Sequence, residues 1–447
     1  MGLSQMHIPY SSHSAGGKTC LVVAYWAPWL NIPGSIRYRK LFSRLERHGW
    51  EIRLLTVGSA RDCLRYGDPE RCLAVPLLTA RRLTSGKAAA CAIPGLASRL
   101  PIHRVKAALS LLVRRVPVPR TYGWFRQWPR ILAWSRRMAP DLILSTSPPP
   151  SAHWLAKALA AKLGKPWVAE LRDPWVDNHY YQKSGVFYDL ELWLERKLLA
   201  SSDALITVSP QIAANLAARH GKPVKVIDHC FEGRTPGSCP DGAPETAGRF
   251  DLAIPLTILY TGRLYPPFLM PGMLLEALDE LRRSGVLRPG DIKLVFYTPS
   301  RAMLSDWLAR EYAPLQGYCE LHDPVSNEQA LQLQRNCDLL LALGWFGPRG
   351  QGVVTSKLGE YLGTGRPILA IASPDSRLSD ILDSVANGFP VHSAKACAAL
   401  LSEFLRLARR GAHLRPQSAS LERYSCREQA SRLSQFLNEV ADHHASM

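Results

Sequence analysis

The 447-residue sequence has no apolar run of about 18 or more residues, the length that a helix needs to cross a bilayer. It also lacks a secretory signal near its start: the residues before Lys18 are mostly polar or small, and the apolar stretch that follows is interrupted by Pro28 and Asn31. These two absences favour a cytoplasmic protein.

Closely spaced cysteines are missing too. The ten cysteines are scattered, and no two of them form a C-x-x-C pair. A disulfide framework is uncommon in a long cytoplasmic chain, and structural metal sites need paired ligands. We therefore expect buried thiols in a reducing compartment.

What is present suits a globular protein of two domains. Hydrophobic residues make up 47% of the chain and charged residues 21%, enough to build cores in two α/β domains of roughly 200 residues each. The formal net charge of +18 favours contact with polyanions, whether nucleic acid, anionic lipid or nucleotide diphosphate.

Short apolar segments alternate with amphipathic helical ones, which predicts parallel sheets with helices on both faces. The first half has predicted strands at Cys20–Trp26, Glu51–Val57, Asp141–Ser145, Pro166–Leu171, Ala204–Ser209 and Val224–Asp228. The second half has them at Leu256–Gly262, Ile292–Tyr297, Tyr318–His322, Asp338–Gly344 and Pro367–Ala372.

The alternation of strand and helix patterns stops at residues 232–251. These residues are rich in Gly, Pro, Ser and Thr, which predicts a linker. We therefore predict a disordered segment at 1–18, an N-terminal domain at 19–231 and a C-terminal domain at 252–425, with a last helical segment at 426–447 that could pack back on the N-terminal domain. Two doubly wound domains in tandem predict a ligand cleft between the carboxyl ends of their sheets. A dehydrogenase is excluded, because no strand is followed by G-x-G-x-x-G.

Four segments in sequence resemble glycosyltransferase family 4. They read VVAYWAPWLNIPGSIRYRKLFSRLERHGWEIRLLTV, PDLILSTSPPPSAHWLAKALAAKLGKPWVAELRDPWVDN, ILYTGRLYP and TSKLGEYLGTGRPILAIA, and the second and fourth look like bacterial enzymes that build surface polysaccharides. The resemblance implies the α/β GT-B fold, in which two Rossmann-like domains face each other across a cleft. It further implies a retaining transferase that moves a sugar, of hexosyl type, from a nucleotide-sugar donor to a lipid-linked or polysaccharide acceptor.

The donor residues follow from this resemblance and from the chemistry of a nucleotide sugar. Arg263 directly follows a strand and could bind the diphosphate, and Lys357 could neutralise phosphate charge. Glu360 stands where the family places the carboxylate that accepts hydrogen bonds from the ribose diol. The donor set is completed by residues that allow a close backbone approach or lie at a helix start: Gly34, Gly352 and Ser356.

The sequence also departs from the family. The family has a glutamate eight residues before the ribose glutamate, but Gly352 stands there, and the lysine usual after the arginine of TGR is missing. A non-catalytic GT-B scaffold or subunit and a nucleotide-sugar epimerase therefore stay open as alternatives. Because there is no D-x-D motif, we predict that neither a metal ion nor another cofactor is needed.

The acceptor side is less determined. The family often has a histidine after a late N-domain strand, where this sequence has Arg172 and Asp173, so Asp173 could accept the proton of the acceptor hydroxyl or simply shape a turn. Thr146 and Ser147 end another strand and could hydrogen-bond an acceptor, or belong to a structural loop.

The stretch Arg99–Arg130 combines basic residues with apolar ones and with Trp124 and Trp128. Such a stretch suits either an anionic inner-leaflet surface or a helix packed on the sheet. A nucleic-acid partner is not expected, because the sequence offers no nucleic-acid-binding module and the net charge alone is unspecific.

Overall fold

The computed structural model describes residues 17–30, 32–63, 70–76, 123–180, 185–232, 250–347, 349–414 and 421–446. The chain forms two compact units, which are taken in turn. The first holds residues up to 208, residues 212–227 and the segment from 430 onwards, and the second holds residues 209–211 and 228–429.

The first unit is built from strands and helices that alternate along the chain. Its strands are β1 (Lys18–Ala24), β2 (Trp50–Val57), β3 (Cys72–Val75), β4 (Leu142–Ser147), β5 (Trp167–Leu171), β6 (Ala204–Thr207) and β7 (Val224–Val226). Its helices are α1 (Pro33–Leu41), α2 (Ala60–Cys63), α3 (Trp128–Met138), α4 (Ser151–Leu163), α5 (Val186–Leu199) and α6 (Pro210–His220).

Within the described residues of this unit, the seven strands form one parallel sheet in the order β3-β2-β1-β4-β5-β6-β7. The chain moves outwards from β1 in both directions, which is the doubly wound arrangement. The carboxyl ends of the strands therefore lie at one edge of the sheet. β3 was not predicted, because four residues carry too little pattern.

One predicted helix is split in the structure. The apolar face of Tyr38, Leu41, Phe42 and Leu45 is buried, but α1 ends at Leu41 and a 3-10 helix, Phe42–His48, follows. Near the junction the hydroxyl of Ser43 donates to the carbonyl of Arg39, a type of bond that bends helices.

The second unit repeats the plan. Its strands are β8 (Phe250–Asp251), β9 (Leu256–Thr261), β10 (Ile292–Tyr297), β11 (Cys319–His322), β12 (Leu339–Leu343), β13 (Ile368–Ile371), β14 (Gly388–Val391) and β15 (His413–Leu414). Its helices are α7 (Gly272–Arg283), α8 (Arg301–Glu311), α9 (Asn327–Asn336), α10 (Ser356–Thr364), α11 (Arg377–Asp383) and α12 (Ala394–Arg409). In the described part of this unit, six strands form a parallel sheet in the order β11-β10-β9-β12-β13-β14. The predicted linker at 232–251 lies mostly outside the described residues.

The last helix, α13 (Cys426–Ala445), begins in the second unit and belongs to the first from Ala430 onwards. In the first unit, Lys18 Nζ of β1 lies 2.5 Å from Asp442 Oδ1 of α13. Among the helices of the described residues, none is long and apolar enough to cross a membrane.

Cys230 and Cys426 form a disulfide inside the second unit, with their Cα atoms 4.9 Å apart. The expectation that the cysteines are thiols is therefore wrong for this pair. The two are separated by 196 residues, so no local spacing pointed to them. Gly359, on α10, lets this helix pack closely against the backbone of Cys230, since a Cβ atom at position 359 would lie 2.8 Å from the carbonyl oxygen of Cys230.

Candidate functional site

The carboxyl edge of the first sheet carries a buried polar cluster. Arg37 Nε, on α1, donates to Glu170 Oε1 on β5 across 2.8 Å, and both side chains are almost fully buried. Thr146 Oγ1, near the end of β4, donates to Glu170 Oε2 across 2.5 Å. A buried carboxylate needs such partners, because removal of its charge from water is costly. We call Arg37, Thr146, Ser147, Glu170 and Arg172 the edge cluster.

Arg172 directly follows β5, and its Nε donates to the carbonyl oxygen of Ser147 across 2.9 Å. Burial lowers the pKa of Arg172, while the charges of Glu170 and Asp173 act in the opposite direction. Gly34 lies against this guanidinium, since a Cβ atom at Gly34 would come within 2.8 Å of Arg172 Nη2. The structure thus brings together two predicted site residues, and it does so at the amino end of α1, where an anion is favoured.

The predicted acceptor residues make bonds inside this cluster. Thr146 donates its hydroxyl proton to the Glu170 carboxylate, and Ser147 Oγ donates to the Glu170 carbonyl oxygen across 3.3 Å. Both hydroxyls can therefore offer only lone pairs to a ligand. Arg37 and Glu170 were not predicted. The sequence signal was Glu170 itself, an acidic residue inside the otherwise apolar strand β5.

Asp173 is half-buried, and its charge acts on the pKa of His179, a residue that was not predicted from the sequence. The family pattern places a histidine directly after the strand, whereas His179 comes six residues after Asp173 in the segment DPWVDNH. Burial lowers the pKa of His179, and Asp173 opposes that shift. The segment therefore places a carboxylate near a buried imidazole, and groups of these two types can accept or relay a proton.

In the second unit, three predicted donor residues lie together at the carboxyl edge of β9. Arg263 is exposed just beyond that strand, and Lys357 and Glu360 stand on the first turns of α10. Burial lowers the pKa of Lys357 to about 8, the charge of Arg263 adds to this shift, and Glu360 opposes it. A side chain at Gly262 would collide with Lys357 Nζ, so the glycine of TGR leaves room for the ammonium group.

Glu360 is held in position by a residue that was not predicted. Asn327 Nδ2, at the start of α9, donates to Glu360 Oε1 across 3.2 Å, and Glu360 is buried. On the neighbouring strands, the rings of Tyr297 and His322 stack with their centroids 4.7 Å apart. This sheet edge therefore combines an oriented carboxylate, two cations and an aromatic pair.

Packing accounts for part of the glycine-rich loop before α10. A Cβ atom at Gly344 would lie 2.8 Å from that of Ala372, and one at Gly350 would collide with the backbone of Trp345. Gly352 is buried, and Ser356 is the half-buried first residue of α10. These two predicted donor residues thus stand at the entrance to the helix that carries Lys357.

The low pKa of Lys357 predicts a stability cost. Below about pH 8 the ammonium is charged in both the folded and the unfolded chain, and the folded chain bears the full cost of burying it. Between about pH 8 and 10.5 the unfolded chain binds more protons, so stability rises with pH and the cost disappears. Lys357→Met should therefore stabilise the second unit by roughly 1–2 kcal/mol at pH 7, with little gain above pH 10.5. Urea unfolding at pH 7 and near pH 10 measures the effect, with Lys395→Met as the control, and an equal gain at both pH values contradicts it.

A family model matches most of the first unit. Residues 34–227, most of the first unit, match the model of the Glycosyl transferase 4-like domain. No curated protein is similar enough in sequence to match the chain.

Solved structures share the fold over almost the whole chain. HepE of Anabaena, in complex with UDP and glucose, has a TM-score of 0.54 at 12% identity and covers 94% of this chain and 100% of its own. A glycosyltransferase from Rickettsia africae has a TM-score of 0.57 at 12% identity, covering 95% and 99%. The lipopolysaccharide outer core galactosyltransferase WaaB has a TM-score of 0.55 at 11% identity, covering 94% and 99%. The predicted GT-B fold and the resemblance to glycosyltransferase family 4 are confirmed.

Proposed function

We propose that this glycosyltransferase-like protein takes a sugar from a nucleotide-sugar donor held at the carboxyl edge of β9. The observation that carries the proposal is the grouping of Arg263, Lys357 and Glu360 at that edge. Two cations suit a diphosphate, and a carboxylate oriented by Asn327 suits the two hydroxyls of a ribose.

The same positive groups that suit a diphosphate support the proposal that no metal ion is needed. Arg263, Lys357 and the start of α10, with Gly352 and Ser356, can balance the diphosphate charge without a metal ion. HepE binds UDP and UDP-glucose, which supports a uridine nucleotide as the first donor to test.

We propose that the acceptor is a lipid-linked molecule or a glycan and that the reaction belongs to the synthesis of a cell-surface glycan. We further propose that the transferred sugar keeps its anomeric configuration. The description of WaaB as a lipopolysaccharide galactosyltransferase supports this pathway. In the first unit, Asp173 and Arg172 would act at the reacting centre, with Thr146 and Ser147 on the acceptor side. A non-catalytic subunit stays the alternative, because Gly352 replaces the first glutamate of the family pattern.

We also propose that a cytoplasmic protein of this charge meets its acceptor at the inner membrane leaflet. Most of the basic stretch Arg99–Arg130 lies outside the described residues. Trp124, however, is fully buried in the core of the first unit, so it does not contribute to a membrane contact.

Glu360→Ala tests the donor site. Loss of a charged acceptor for the ribose hydroxyls should weaken UDP binding about 10- to 100-fold while the fold is kept. Isothermal calorimetry with UDP, in buffer containing a chelator, measures the affinity. Glu403→Ala, in an exposed pair with Arg406 on α12, is the matched control and should bind like the wild type.

Unchanged affinity in Glu360→Ala contradicts the ribose assignment. Binding that appears only after magnesium or manganese is added contradicts the proposal that no metal is needed. Release of sugar from a UDP-sugar by the wild type separates a transferase from the non-catalytic alternative, and an epimerase would convert the free donor without any acceptor.

A further inference from the structure

The outward face of α5 carries large apolar side chains. Val186 is 80% exposed, Leu190 43% and Trp193 53%, and Phe187 beside them is 36% exposed. Positions 186, 190 and 193 are spaced four and three residues apart, so they lie on one face of the helix, and position 197 continues it. We call Val186, Leu190, Trp193 and Lys197 the outer stripe.

The opposite face of α5 carries acids that are buried. Glu191 and Glu195 are separated by one helical turn, and both are buried. Glu195 Oε1 accepts from Arg219 Nη1 across 2.8 Å, and its Oε2 accepts from the backbone N–H of Val176 across 3.0 Å. Leu198 and Leu199 of the same helix are buried in the core, so α5 buries two carboxylates beside its apolar contacts and leaves the outer stripe exposed.

Ion pairs fix this rotation of the helix. Arg219, on α6, contacts both Glu195 and Asp177, and Tyr188 Oη on α5 donates to Asp177 Oδ1 across 3.1 Å. To bury the outer stripe, the helix would have to break these pairs and leave buried charges without partners, which is strongly unfavourable. The apolar side chains are therefore held outward by the fold itself.

The chemistry around the outer stripe suits a lipid surface. Lys197 Nζ lies 4.7 Å from the centre of the Trp193 ring, and Arg196 next to it is exposed. Lys157 adds a third cation, since its Nζ donates to the carbonyl of Lys197 across 2.9 Å, while the one exposed acid on this helix, Asp189, lies on the flank. Tryptophan beside lysine and arginine is typical of the membrane interface.

The size of the stripe also favours lipid over protein. A stable protein interface takes roughly 20–30 residues from each partner, whereas an interfacial helix needs only one apolar face to insert among headgroups. The net charge of +18 supplies long-range attraction to an anionic surface.

We propose that the outer stripe of α5 docks the first unit on an anionic membrane surface. The proposal rests on the proposed function, because a lipid-linked acceptor has to be met at a membrane. It assigns the contact to a helix outside the stretch Arg99–Arg130.

The test is sedimentation of the full-length protein with phosphatidylcholine vesicles, with and without phosphatidylglycerol. The wild type should bind the anionic vesicles, and Leu190→Gln with Trp193→Gln should lower its partitioning by about tenfold or more. Arg196→Glu with Lys197→Glu should remove the preference for anionic lipid. Val286→Gln, at an exposed apolar residue of the second unit, is the matched control and should bind like the wild type.

A spectroscopic readout shows which side chain enters the lipid. Brominated lipids should quench part of the wild-type tryptophan fluorescence, and that part should be missing in Trp193→Phe although the variant still sediments. Wild-type binding by the Leu190→Gln, Trp193→Gln variant overturns the proposal. The proposal is also overturned if neither protein binds vesicles and the wild type forms a dimer that this variant does not form. The stripe would then join two copies of the chain.

Stabilisation by UDP, measured on the same samples, keeps this proposal separate from the proposed function. The stripe variants should be stabilised by UDP as much as the wild type, because they leave the second unit unchanged. If UDP does not stabilise even the wild type while vesicle binding follows the stripe, the proposed function fails and the docking surface stands.

Discussion

Glu170→Leu should destabilise the first unit by about 3–5 kcal/mol, because it leaves the buried guanidinium of Arg37 without its carboxylate. Arg37 Nε donates to Glu170 across 2.8 Å, and its Nη2 donates to the carbonyl of Ile227 across 2.9 Å. The substitution keeps the bond to Ile227 and removes the Glu170 carboxylate. Thr146 also loses the acceptor of its hydroxyl proton.

The matching double variant separates the charge from the packing. Arg37→Met with Glu170→Leu replaces both charged partners by apolar side chains of similar size, so stability should return close to that of the wild type or exceed it. Glu403→Leu removes an exposed carboxylate paired with Arg406, and it should cost less than about 1 kcal/mol.

Urea unfolding measures these changes, and hydrogen exchange of the β4 and β5 amides assigns them to the first unit. If Glu170→Leu and Glu403→Leu cost the same, the buried pair does not hold the edge cluster together. If the double variant is as unstable as Glu170→Leu alone, the loss comes from packing and not from an unpaired charge.

The sequence predicted those parts of the fold that have a local cause. Continuous apolar segments gave β10 at its observed bounds and most other long strands within a few residues, because both faces of a parallel sheet are buried. Gly164 and Gly49 end their helical segments with positive φ angles, as their positions indicated. Short strands such as β3 and β14 were missed, since so few residues carry too little pattern.

The site was predictable only where one residue type suggested one ligand chemistry. Arg263, Lys357 and Glu360 were proposed in this way, and the structure places them at one sheet edge, while their role in donor binding stays a prediction. Asn327 and the edge-cluster pair were not found, because their roles depend on residues far away in sequence: Arg37 and Glu170 are 133 positions apart. The exposed apolar stripe of α5 was missed for the same reason, since the ion pairs that fix the rotation of this helix involve Arg219 on α6 and Asp177 in the segment after β5.

Asp173→Asn should reduce turnover by about 10²- to 10⁴-fold, because the amide cannot accept the proton that leaves the attacking hydroxyl. Donor affinity should stay within about threefold of the wild type, since a proton-accepting group acts mainly in the transition state. Asp173 follows β5 at the carboxyl edge of the first sheet and lies beside Arg172 and near His179.

Turnover is measured as release of UDP from UDP-sugars with water as the acceptor, and donor affinity by calorimetry with UDP. Asp177→Asn is the matched control, because Asp177 lies in the same segment but pairs with Arg219 and Tyr188. That variant should lose stability and keep its turnover per folded molecule, whereas Asp173→Asn should keep its stability and lose turnover. Wild-type turnover in Asp173→Asn contradicts the catalytic role and leaves Asp173 as a turn residue before Pro174. Equal losses of turnover in both variants indicate that the segment as a whole, and not the Asp173 carboxylate, is required.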